Sequence, residues 1–584
     1  MKKAKTDSFD RFYNYSWIVV FFLPFAIYIT SLSLGFVYFD DDVLVLENLK
    51  ILKDPSNVGT FFTTDVFLGH AVPYYRPMLN VALAAGAAMG GADPKAYHLV
   101  SLLVHCFTVM SLLWLLGLLG FTRSKSLIGA LLFSLHPLMA NAIFWIPALN
   151  DTLVTLFSLF SFACFIRFIR EKSLKFLLLH LLSLAGAFFS KESAVALPLL
   201  FLGYMFVSKQ RFFGRQKAMM YAGWVAIVVA WFFLRQSSIG ALQGDEQGLG
   251  AIMKNLPFLP EIVAGFFLPF NLAVMPVFSV FYTLAGLILI ALLIMWALVN
   301  KKRNSPMLFL GLFWFLAFAA PNMFIRLFNT ADSFDYLPHR AYLPSIGLLL
   351  IILALAPDAW TDLKTRATRI IFLLLMIVLA LFSLLQERKY RDGEAFWSSV
   401  IKVSPDRAWF HHFYGRYYYR QQDFVKFEEQ LHEAVRLKEY GTFYYNLGMI
   451  ELMQKKNLEG AFAYFNKAIE KGETKPDVMR NYKNLCIESG IALVKKGDFG
   501  KASARLEIAL GYEPSNTAAL MNLALCAVNL GDTQKAVSIW RNVALADPTI
   551  ISAAKNLSIY YAGTNLRDSA SFFTARYLKY RGDK

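Results

Sequence analysis

Long apolar segments recur through the first 390 residues of the chain, and none begins after residue 388. Each has 16 to 23 residues, close to the roughly 20 that a helix needs to cross a bilayer. We predict transmembrane helices over residues 15–37, 97–119, 127–145, 151–170, 174–190, 193–208, 217–235, 278–299, 306–324, 341–356 and 369–387. The chain is therefore predicted to be all-α, with a polytopic membrane domain of about eleven helices in residues 1–390 and a second domain in residues 391–584.

Residues 405–584 repeat a pattern of small, apolar and proline residues with a period of 34. At this offset Gly490, Gly497, Ala502, Leu506, Ala509 and Pro514 recur as Ala524, Gly531, Ala536, Trp540, Val543 and Pro548. Small residues let paired helices approach closely, and the proline ends each second helix. This pattern is typical of tetratricopeptide repeats. We predict about five repeats, the last of them a cap, forming an α-solenoid whose concave surface suits a peptide.

The first repeat contains the aromatic and basic stretch WFHHFYGRYYYR, residues 409–420. One interpretation makes these aromatic residues the core of the first repeat. The other makes them a surface that contacts an acceptor or a glycan.

The composition excludes a soluble fold for the first domain, because 57% of the residues are hydrophobic and the mean hydropathy is +0.45. The net charge of +17 could indicate nucleic-acid binding. In a membrane protein, however, excess positive charge belongs in cytoplasmic loops, so we expect no nucleic-acid partner. The four cysteines, Cys106, Cys164, Cys486 and Cys526, form neither a disulfide framework nor a CxxC metal motif.

Lysine and arginine clusters precede the first predicted span and follow every second span after it. The clusters contain Lys2, Lys3, Lys5 and Arg11; Arg123 and Lys125; Arg170 and Lys172; residues 209–217; residues 301–303; and Lys364, Arg366 and Arg369. The positive-inside rule then places the N-terminus in the cytoplasm. An odd number of spans places the 38–96 loop and the repeat domain outside.

Residues 251–270 are the uncertain segment of this topology, since a crossing there would bring the repeat domain inside. Lys254, Pro257, Pro260 and Glu261 favour an interfacial helix instead. Compact loops and the lack of a eukaryotic retention signal predict a bacterial inner membrane, with the repeat domain in the periplasm.

Polar residues collect near the predicted outer ends of the spans. They are Asp40, Asp41 and Asp42 after the first span, Arg76 in the same loop, His98 and His105, His136 and Asn141, Asp151, Lys191 and Glu192, and His339 and Arg340. Each of them alone could be a structural residue or an interfacial anchor. Ionisable groups in membrane segments are costly and mark function when they converge, so together they predict one outward-facing site.

Acidic and basic groups at an outer membrane face suit the transfer of a sugar from a polyprenyl-phosphate carrier. An aspartate would act as general base for an acceptor hydroxyl. Arginine and lysine would hold the phosphate leaving group through charge-assisted hydrogen bonds. Because nucleotides are absent outside the cytoplasmic membrane, the donor is expected to be lipid-linked.

The sequence resembles the GT-C superfamily of membrane glycosyltransferases, and within it the proteins that join such a core to tetratricopeptide repeats. The resemblance is carried, in the family's order, by FDDDVLVLEN (39–48), YYRPMLN (74–80), YHLVSLLVH (97–105), LHPLMANAIFWIPALND (135–151), SKESAVALP (190–198), LPFNLAVMP (268–276) and HRAYLPSIG (339–347). These segments span most of residues 36–350.

The resemblance implies that Asp40 and Asp41 are the catalytic acidic pair, and it leaves open which of them is the base. It implies donor or substrate binding by Arg76, His98, His105, His136, Asp151, Lys191, Glu192, His339, Arg340 and Tyr342. Many relatives carry an acid at Asn141 and a base at Leu149 or Asn150, which puts the donor in doubt more than the reaction. Relatives include protein O-mannosyltransferases, so the implied acceptor is a serine or threonine hydroxyl, with inversion at the sugar carbon.

The need for a metal varies across the superfamily, so the resemblance implies no particular cofactor, and Asp40 and Asp41 could bind a divalent cation. Two other functions stay open. The chain could transfer the sugar to a lipid or an envelope glycan, or it could be a non-catalytic membrane scaffold that acts through its repeats. A transporter would need polar groups near the midplane of several spans, whereas these lie on one side.

Overall fold

The computed structural model describes residues 13, 15–70, 72–239, 246–247, 249–323, 325–326 and 335–581. The basic residues Lys2, Lys3, Lys5 and Arg11 of the predicted cytoplasmic N-terminus lie outside these ranges. The chain forms two compact units, Met1–Phe410 and His411–Lys584. This division lies 20 residues beyond the predicted boundary at 390.

The first unit is built of helices. They are α1 (Ser16–Tyr28), α2 (Leu49–Lys53), α3 (Val58–Phe61), α4 (Pro77–Gly90), α5 (Pro94–Leu118), α6 (Arg123–Leu135), α7 (Pro137–Phe144), α8 (Leu149–Glu171), α9 (Leu174–Phe188), α10 (Leu197–Val207), α11 (Arg215–Ser238), α12 (Leu249–Lys254), α13 (Phe258–Phe267), α14 (Val280–Val299), α15 (Ser305–Ala319), α16 (Ser345–Leu355), α17 (Arg366–Glu387) and α18 (Gly393–Val403). Short 3-10 segments extend several of them, including Ile29–Ser33 after α1 and Glu192–Ala196 before α10. Glu246–Gln247 pairs with Ile325–Arg326 in a two-residue antiparallel ladder.

Each of the eleven predicted spans coincides with helix. Within the described residues, seven helices are long and apolar enough to cross a membrane, and α6 with α7 forms an eighth if this pair is one span bent by 54°. The segments predicted at 174–190, 193–208 and 341–356 are shorter apolar helices of 10–17 residues. The membrane domain is therefore confirmed as helical, whereas a count of eleven crossings stays a prediction.

The bend between α6 and α7 follows from the sequence His136-Pro137. Proline has no N–H and disfavours helix in the residue before it, and His136 is extended, with φ −74° and ψ 127°. The predicted continuous span at 127–145 is thus broken in the middle. Residues 251–270, expected to lie at the interface, form the short helices α12 and α13.

The second unit consists of five antiparallel helix pairs. Their helices are α19 (Ala408–Arg420), α20 (Phe424–Leu437), α21 (Gly441–Met453), α22 (Leu458–Glu470), α23 (Pro476–Lys496), α24 (Phe499–Tyr512), α25 (Thr517–Asn529), α26 (Thr533–Ala546), α27 (Ile551–Gly563) and α28 (Arg567–Arg581). The predicted repeat helices are confirmed. The third pair differs from the others, because α23 has 21 residues where α21, α25 and α27 have 13.

An acid or amide begins the second helix of the first four pairs. Asp423, Asn457, Asp498 and Asp532 each accept the backbone N–H of the residue three positions later. Such caps satisfy one of the donors that a helix start leaves unpaired. Each capping residue stands directly before its helix, so the second helix begins at the same position of the repeat in all four pairs.

The stretch WFHHFYGRYYYR is mostly core. Phe410, Phe413, Tyr414 and Tyr418 are buried in the structure, and His411 and His412 are buried with them. The exposed members of the stretch are Arg416, Tyr419 and Arg420. The packing interpretation therefore accounts for most of this segment.

Two glycines allow α15 and α16 to cross at close range. A Cβ atom at Gly347 would lie 2.5 Å from the Gly311 carbonyl oxygen, and one at Gly311 would lie 2.8 Å from the Gly347 carbonyl oxygen. Small residues serve this purpose in membrane helix pairs because backbones can then approach closely.

Replacing Gly347 by alanine should therefore push α15 and α16 apart. We expect a loss of about 1–3 kcal/mol in the free energy of unfolding, as for other overpacked sites. Thermal unfolding of the purified protein in detergent measures this, with Gly117→Ala as control because its Cβ would meet only the Tyr13 hydroxyl at 4.0 Å. Equal stability of the two variants would contradict a tight crossing.

Candidate functional site

The three consecutive aspartates follow α1 on a segment that aromatic rings hold in place. Phe39 stacks on Trp145 with ring centroids 5.7 Å apart, and the edge of Trp397 meets it at 5.6 Å. The Trp145 indole N–H donates to the Phe39 carbonyl oxygen at 3.2 Å. The backbone N–H of Gly35 donates to the carbonyl oxygen of Arg391 at 2.7 Å. The segment is therefore fixed from both sides before its acidic residues begin.

Asp41 is turned back onto its own backbone. Its carboxylate accepts the Val37 N–H at 2.7 Å and the Phe39 N–H at 3.1 Å, and the residue is only 1% exposed. Asp42 is buried too and begins a short π-helix, Asp42–Glu47. Both side chains thus belong to the interior of the loop.

Asp40 differs from the next two aspartates in conformation and in exposure. Its φ is 71°, in the left-handed region that residues other than glycine adopt uncommonly. The residue is half-buried, whereas Asp41 and Asp42 are buried. Strained backbone of this kind recurs at functional sites. Asp40 is therefore the aspartate of the three that an incoming group can reach most easily.

Burial raises the pKa of Asp41 to about 8, and the charges of Asp42 and Asp40 add to this effect. The two N–H bonds from Val37 and Phe39 oppose it. A carboxyl group that loses its hydration binds its proton more tightly.

Arg76 joins the first long loop to the turn between α9 and α10. Its Nε and Nη2 both donate to Glu192 Oε2 at 3.2 Å, and the Tyr75 N–H donates to Glu192 Oε1 at 3.3 Å. The guanidinium also lies 4.7 Å from the centroid of the Tyr74 ring. The predicted pair of Arg76 and Glu192 thus forms a bonded unit across two distant segments.

A second ion pair lies in the same region. Lys191 Nζ donates to both carboxylate oxygens of Asp151, at 2.7 and 2.8 Å, and both side chains are buried. His339 Nε2 lies 3.7 Å from Asp151 Oδ2, and its ring lies 4.9 Å from that of Trp145. Asp151 occupies the first turn of α8, where the helix dipole favours a negative charge.

The surroundings of His339 disfavour its protonated form. Burial lowers its pKa well below the usual value, and the positive charges of Lys191, Arg340 and Arg76 lower it further. A neutral imidazole can stay buried beside three cations, whereas a charged one would be repelled.

Arg340 is half-buried, and no carboxylate of the described residues lies within ion-pair distance of it. Burial lowers its pKa, and Tyr74, Asp151 and Glu192 partly counteract that effect. Burial likewise raises the pKa of Tyr74, which also responds to Arg340, Arg76, Glu192 and Asp40. The charges of four predicted site residues therefore act on the Tyr74 hydroxyl, which indicates that these residues lie near one another.

The structure therefore assembles a polar cluster from segments far apart in the sequence. Its members are Asp40, Arg76, Asp151, Lys191, Glu192, His339 and Arg340. All of them come from the predicted set. We refer to them below as the charge cluster.

The remaining predicted residues are engaged in packing. His105 Nε2 donates to the Ser134 carbonyl oxygen at 3.1 Å, and its Nδ1 accepts the Tyr342 hydroxyl at 2.6 Å. His136 Nδ1 caps α7 by accepting the Leu138 N–H at 3.2 Å, and its Nε2 donates to the Phe266 carbonyl oxygen at 2.8 Å. The polar atoms of these side chains form hydrogen bonds within the protein, and their role in substrate binding stays a prediction.

His98 and Asn141 are also buried. His98 lies beside the backbone of Gly35 and Ile143 without a well-formed hydrogen bond among the described residues. Asn141 Oδ1 accepts from Gln386 at 3.0 Å and from Tyr390 at 2.9 Å. Asn141 thus links α7 to the end of α17 and to Tyr390, which follows it.

Sequence reasoning missed Tyr74 and Trp145. Both stand next to residues that were singled out, in YYRP and in FWIPALND. Aromatic residues beside predicted site residues could have signalled them, but aromatic side chains are too frequent in this chain for that signal to be specific. Among the described residues, no group of three His, Cys, Asp or Glu side chains is arranged to hold a metal ion.

The raised pKa of Asp41 predicts a pH effect on stability. The contribution of protonated Asp41 to stability is complete below pH 3.8, the pKa of the unfolded chain's carboxyl group. It is lost as the pH rises to about 8, the pKa in the folded protein. Between pH 5 and 8 the free energy of unfolding of the wild type should fall by up to about 1.4 kcal/mol per pH unit relative to Asp41→Asn. Chemical unfolding in mixed micelles measures both slopes, and parallel slopes would contradict a buried, protonated Asp41.

Two family descriptions match parts of the chain. Residues 71–234 match the family described as dolichyl-phosphate-mannose-protein mannosyltransferase, and residues 415–476 and 487–549 match the tetratricopeptide repeat. The first match contains Arg76, Asp151, Lys191 and Glu192 of the charge cluster.

Curated relatives match over a similar region. The chain is 31% identical over 148 residues to "Protein O-mannosyl-transferase TMTC2" of Mus musculus, which is 23% of this chain and 16% of that protein. It is 30% identical over 129 residues to "Protein O-mannosyl-transferase Tmtc1" of Drosophila melanogaster, which is 21% of this chain and 14% of that protein. The matches thus span about one sixth of the relatives' length.

Among solved structures, the chain is similar to ArnT from Cupriavidus metallidurans bound to undecaprenyl phosphate, with 15% identity and a TM-score of 0.38 over 72% of this chain and 77% of that one. It is also similar to YrrB, "a TPR protein with an unusual peptide-binding site", with 18% identity and a TM-score of 0.21 over 34% of this chain and 94% of that one. The resemblance predicted from the sequence is confirmed over part of the chain. Residues 71–234 of this integral membrane protein match a mannosyltransferase family, a segment of 148 residues is similar to a protein O-mannosyl-transferase, and tetratricopeptide repeats follow.

Proposed function

We propose that the chain is a membrane glycosyltransferase that moves a sugar from a polyprenyl-phosphate donor to an acceptor hydroxyl on the extracytoplasmic face. The observation that carries the proposal is Arg340, a half-buried guanidinium with no carboxylate at ion-pair distance among the described residues. The match of residues 71–234 to a mannosyltransferase family supports the same reaction class.

Arg340 is the residue proposed to hold the donor phosphate. Arg76 and Lys191 already have carboxylate partners in Glu192 and Asp151, so their charges are largely compensated. A buried cation without such a partner is costly unless an anion arrives. A phosphate group satisfies that need, and guanidinium geometry suits it through paired hydrogen bonds.

Asp40 is the proposed general base. Asp41 already uses its carboxylate on the Val37 and Phe39 N–H groups, whereas Asp40 is half-buried. In the proposed step the acceptor oxygen attacks the anomeric carbon while Asp40 takes the hydroxyl proton. The bond between that carbon and the phosphate oxygen breaks, and the phosphate leaves with the electron pair towards Arg340. One direct displacement inverts the sugar carbon.

The proposed acceptor is a serine or threonine of a protein or peptide that the repeat domain binds. The five helix pairs of the second unit support this, since such repeats offer a concave surface suited to peptides. Membrane lipid surrounds the first unit. We place the chain in a bacterial inner membrane, with its N-terminus in the cytoplasm and its repeats in the periplasm.

The proposed reaction needs no cofactor. A divalent cation on Asp40 and Asp41 is the alternative, and the two N–H bonds that Asp41 already accepts count against it. Transfer to a lipid or envelope glycan and a scaffold without catalysis are the other candidate functions.

Asp40→Asn should abolish transfer without unfolding the protein, because the amide cannot accept the proton. We expect a loss of about 10²–10⁴-fold, the usual contribution of a general base. The measurement compares intact masses of extracytoplasmic proteins from cells that carry wild type or Asp40→Asn in place of the native chain, at equal membrane levels.

Hexose-sized mass additions should disappear in the Asp40→Asn cells. Asp41→Asn serves as the comparison, since its effect should follow the amount of folded protein in the membrane. If deletion of the whole chain changes lipid-linked or envelope glycans but no protein mass, the acceptor is a glycan. If it changes neither, the scaffold function replaces the enzyme.

Arg340→Gln should weaken use of the lipid-linked donor. We expect kcat/KM for the polyprenyl-phosphate sugar to fall roughly 10²–10³-fold, as for the loss of one donor to a developing oxyanion. Arg391→Gln is the matched control, because Arg391 is exposed and pairs with its neighbour Asp392. Unchanged donor kinetics in Arg340→Gln would remove Arg340 from the phosphate site.

A further inference from the structure

The segment that contains Arg340 is anchored on both sides. Upstream, the Tyr336 hydroxyl donates to Glu261 Oε2 of α13 at 3.2 Å. Downstream, the Trp314 indole N–H of α15 donates to the Leu343 carbonyl oxygen at 2.9 Å. Arg340, the residue proposed to hold the donor phosphate, therefore lies between a bond to α13 and a bond to α15.

Glu261 is buried, and its carboxylate accepts hydrogen bonds from three separate groups. Oε1 accepts the Ser279 N–H at 2.7 Å and the Thr283 hydroxyl at 2.8 Å, both at the beginning of α14. Oε2 accepts the Tyr336 hydroxyl. Burying a carboxylate is costly unless it is hydrogen-bonded, and these three donors meet that need. The carboxylate thus joins α13 and α14 to the segment that precedes Arg340.

The backbone and the ring at this anchor are held as well. The Asp335 N–H donates to the Pro276 carbonyl oxygen at 3.0 Å, and the Phe278 N–H donates to Asp335 Oδ2 at 2.7 Å. The Tyr336 ring stacks on Phe278 with centroids 5.8 Å apart, and it meets the Phe258 ring edge to face at 5.4 Å. Packing therefore fixes the Tyr336 ring, and its hydroxyl adds a directional bond.

The helix that carries Glu261 is itself fixed. His136 Nε2 donates to the Phe266 carbonyl oxygen at 2.8 Å, and the two rings stack with centroids 4.6 Å apart. α14 lies so close to α13 that a Cβ atom at Gly286 would be 1.9 Å from the Pro260 carbonyl oxygen. Because Glu261 follows Pro260 directly, its backbone belongs to this tight crossing and gives Tyr336 a firm point of attachment.

The chain between Tyr336 and Arg340 has little freedom to absorb a displacement. The ring of Pro338 fixes its own φ. Pro338–Ala341 is a 3-10 helix, and the Arg340 N–H donates to the Leu337 carbonyl oxygen at 3.1 Å. A shift of Tyr336 is therefore passed on to Arg340 and is not taken up between them.

We infer that Tyr336 is a positioning residue for sugar transfer: through its bond to Glu261 it sets where the Arg340 guanidinium meets the donor phosphate. This role rests on the proposed function, in which Arg340 holds that phosphate. Tyr336 and Glu261 lie outside the charge cluster and act on the reaction through Arg340 alone. Placement matters because a misplacement of about 1 Å can cost roughly 10²-fold in rate.

Tyr336→Phe tests this role, because it keeps the packed ring and removes only the hydroxyl that reaches Glu261. We expect kcat/KM for polyprenyl-phosphate mannose, used as the donor, to fall roughly 10–10²-fold. Thr283→Val is the matched control, since it removes another hydroxyl from the same carboxylate, on α14 and not on the Arg340 segment. It should keep the donor kinetics of the wild type. Thermal unfolding in detergent should show similar losses of stability for both variants.

A double-mutant cycle separates positioning from a general loss of structure. In an Arg340→Gln background, Tyr336→Phe should have no further effect on kcat/KM for the donor, because no guanidinium is left to position. A merely structural effect would lower kcat/KM by the same factor with and without Arg340.

Three results would overturn the role of Tyr336. They are wild-type donor kinetics in Tyr336→Phe, an equal loss of kcat/KM in Thr283→Val, and independent losses that multiply in Tyr336→Phe/Arg340→Gln. Failure of the proposed function looks different, since the wild type then transfers no mannose or Arg340→Gln keeps wild-type donor kinetics. Either of these outcomes also removes the role of Tyr336, and it does so before Tyr336 is changed.

Discussion

The ion pair between Lys191 and Asp151 joins the turn after α9 to the first turn of α8, and both charges are buried. Taking two charges out of water costs several kcal/mol each unless their geometry is good, and removing one partner leaves an uncompensated buried charge. Lys191 meets both oxygens of the carboxylate, so the pair satisfies that condition. Glu192 follows Lys191 in the chain and binds Arg76, and His339 Nε2 lies 3.7 Å from Asp151 Oδ2, so the pair contacts or adjoins the other members of the charge cluster.

The aspartate triplet illustrates how adjacent identical residues acquire different tasks. Asp41 closes the loop by accepting two backbone N–H groups, and Asp42 begins a buried π-helix. Asp40 is left half-buried in a left-handed conformation. Asp41 and Asp42 thus stabilise the conformation of this segment, and Asp40 is the carboxylate that we propose as general base.

The helix α8 carries Asp151 in its first turn, where Lys191 and His339 meet it. A helix of 23 residues is about as long as the hydrocarbon core of a bilayer is thick. The charge cluster therefore lies at one end of an element that is long enough to span a membrane.

The sequence by itself determined the helical class, the membrane domain, the repeat helices and every member of the charge cluster. Apolar length, a period of 34 and charges at the ends of spans are local signals, so each can be read without a fold. The tertiary structure decided which of those polar residues meet. Arg76 and Glu192 stand 116 residues apart, and His105 and Tyr342 stand 237 apart, yet one pair enters the charge cluster and the other closes on itself in the core. Such partners cannot be predicted from their spacing in the sequence, because the packing of helices across the whole unit determines which side chains meet.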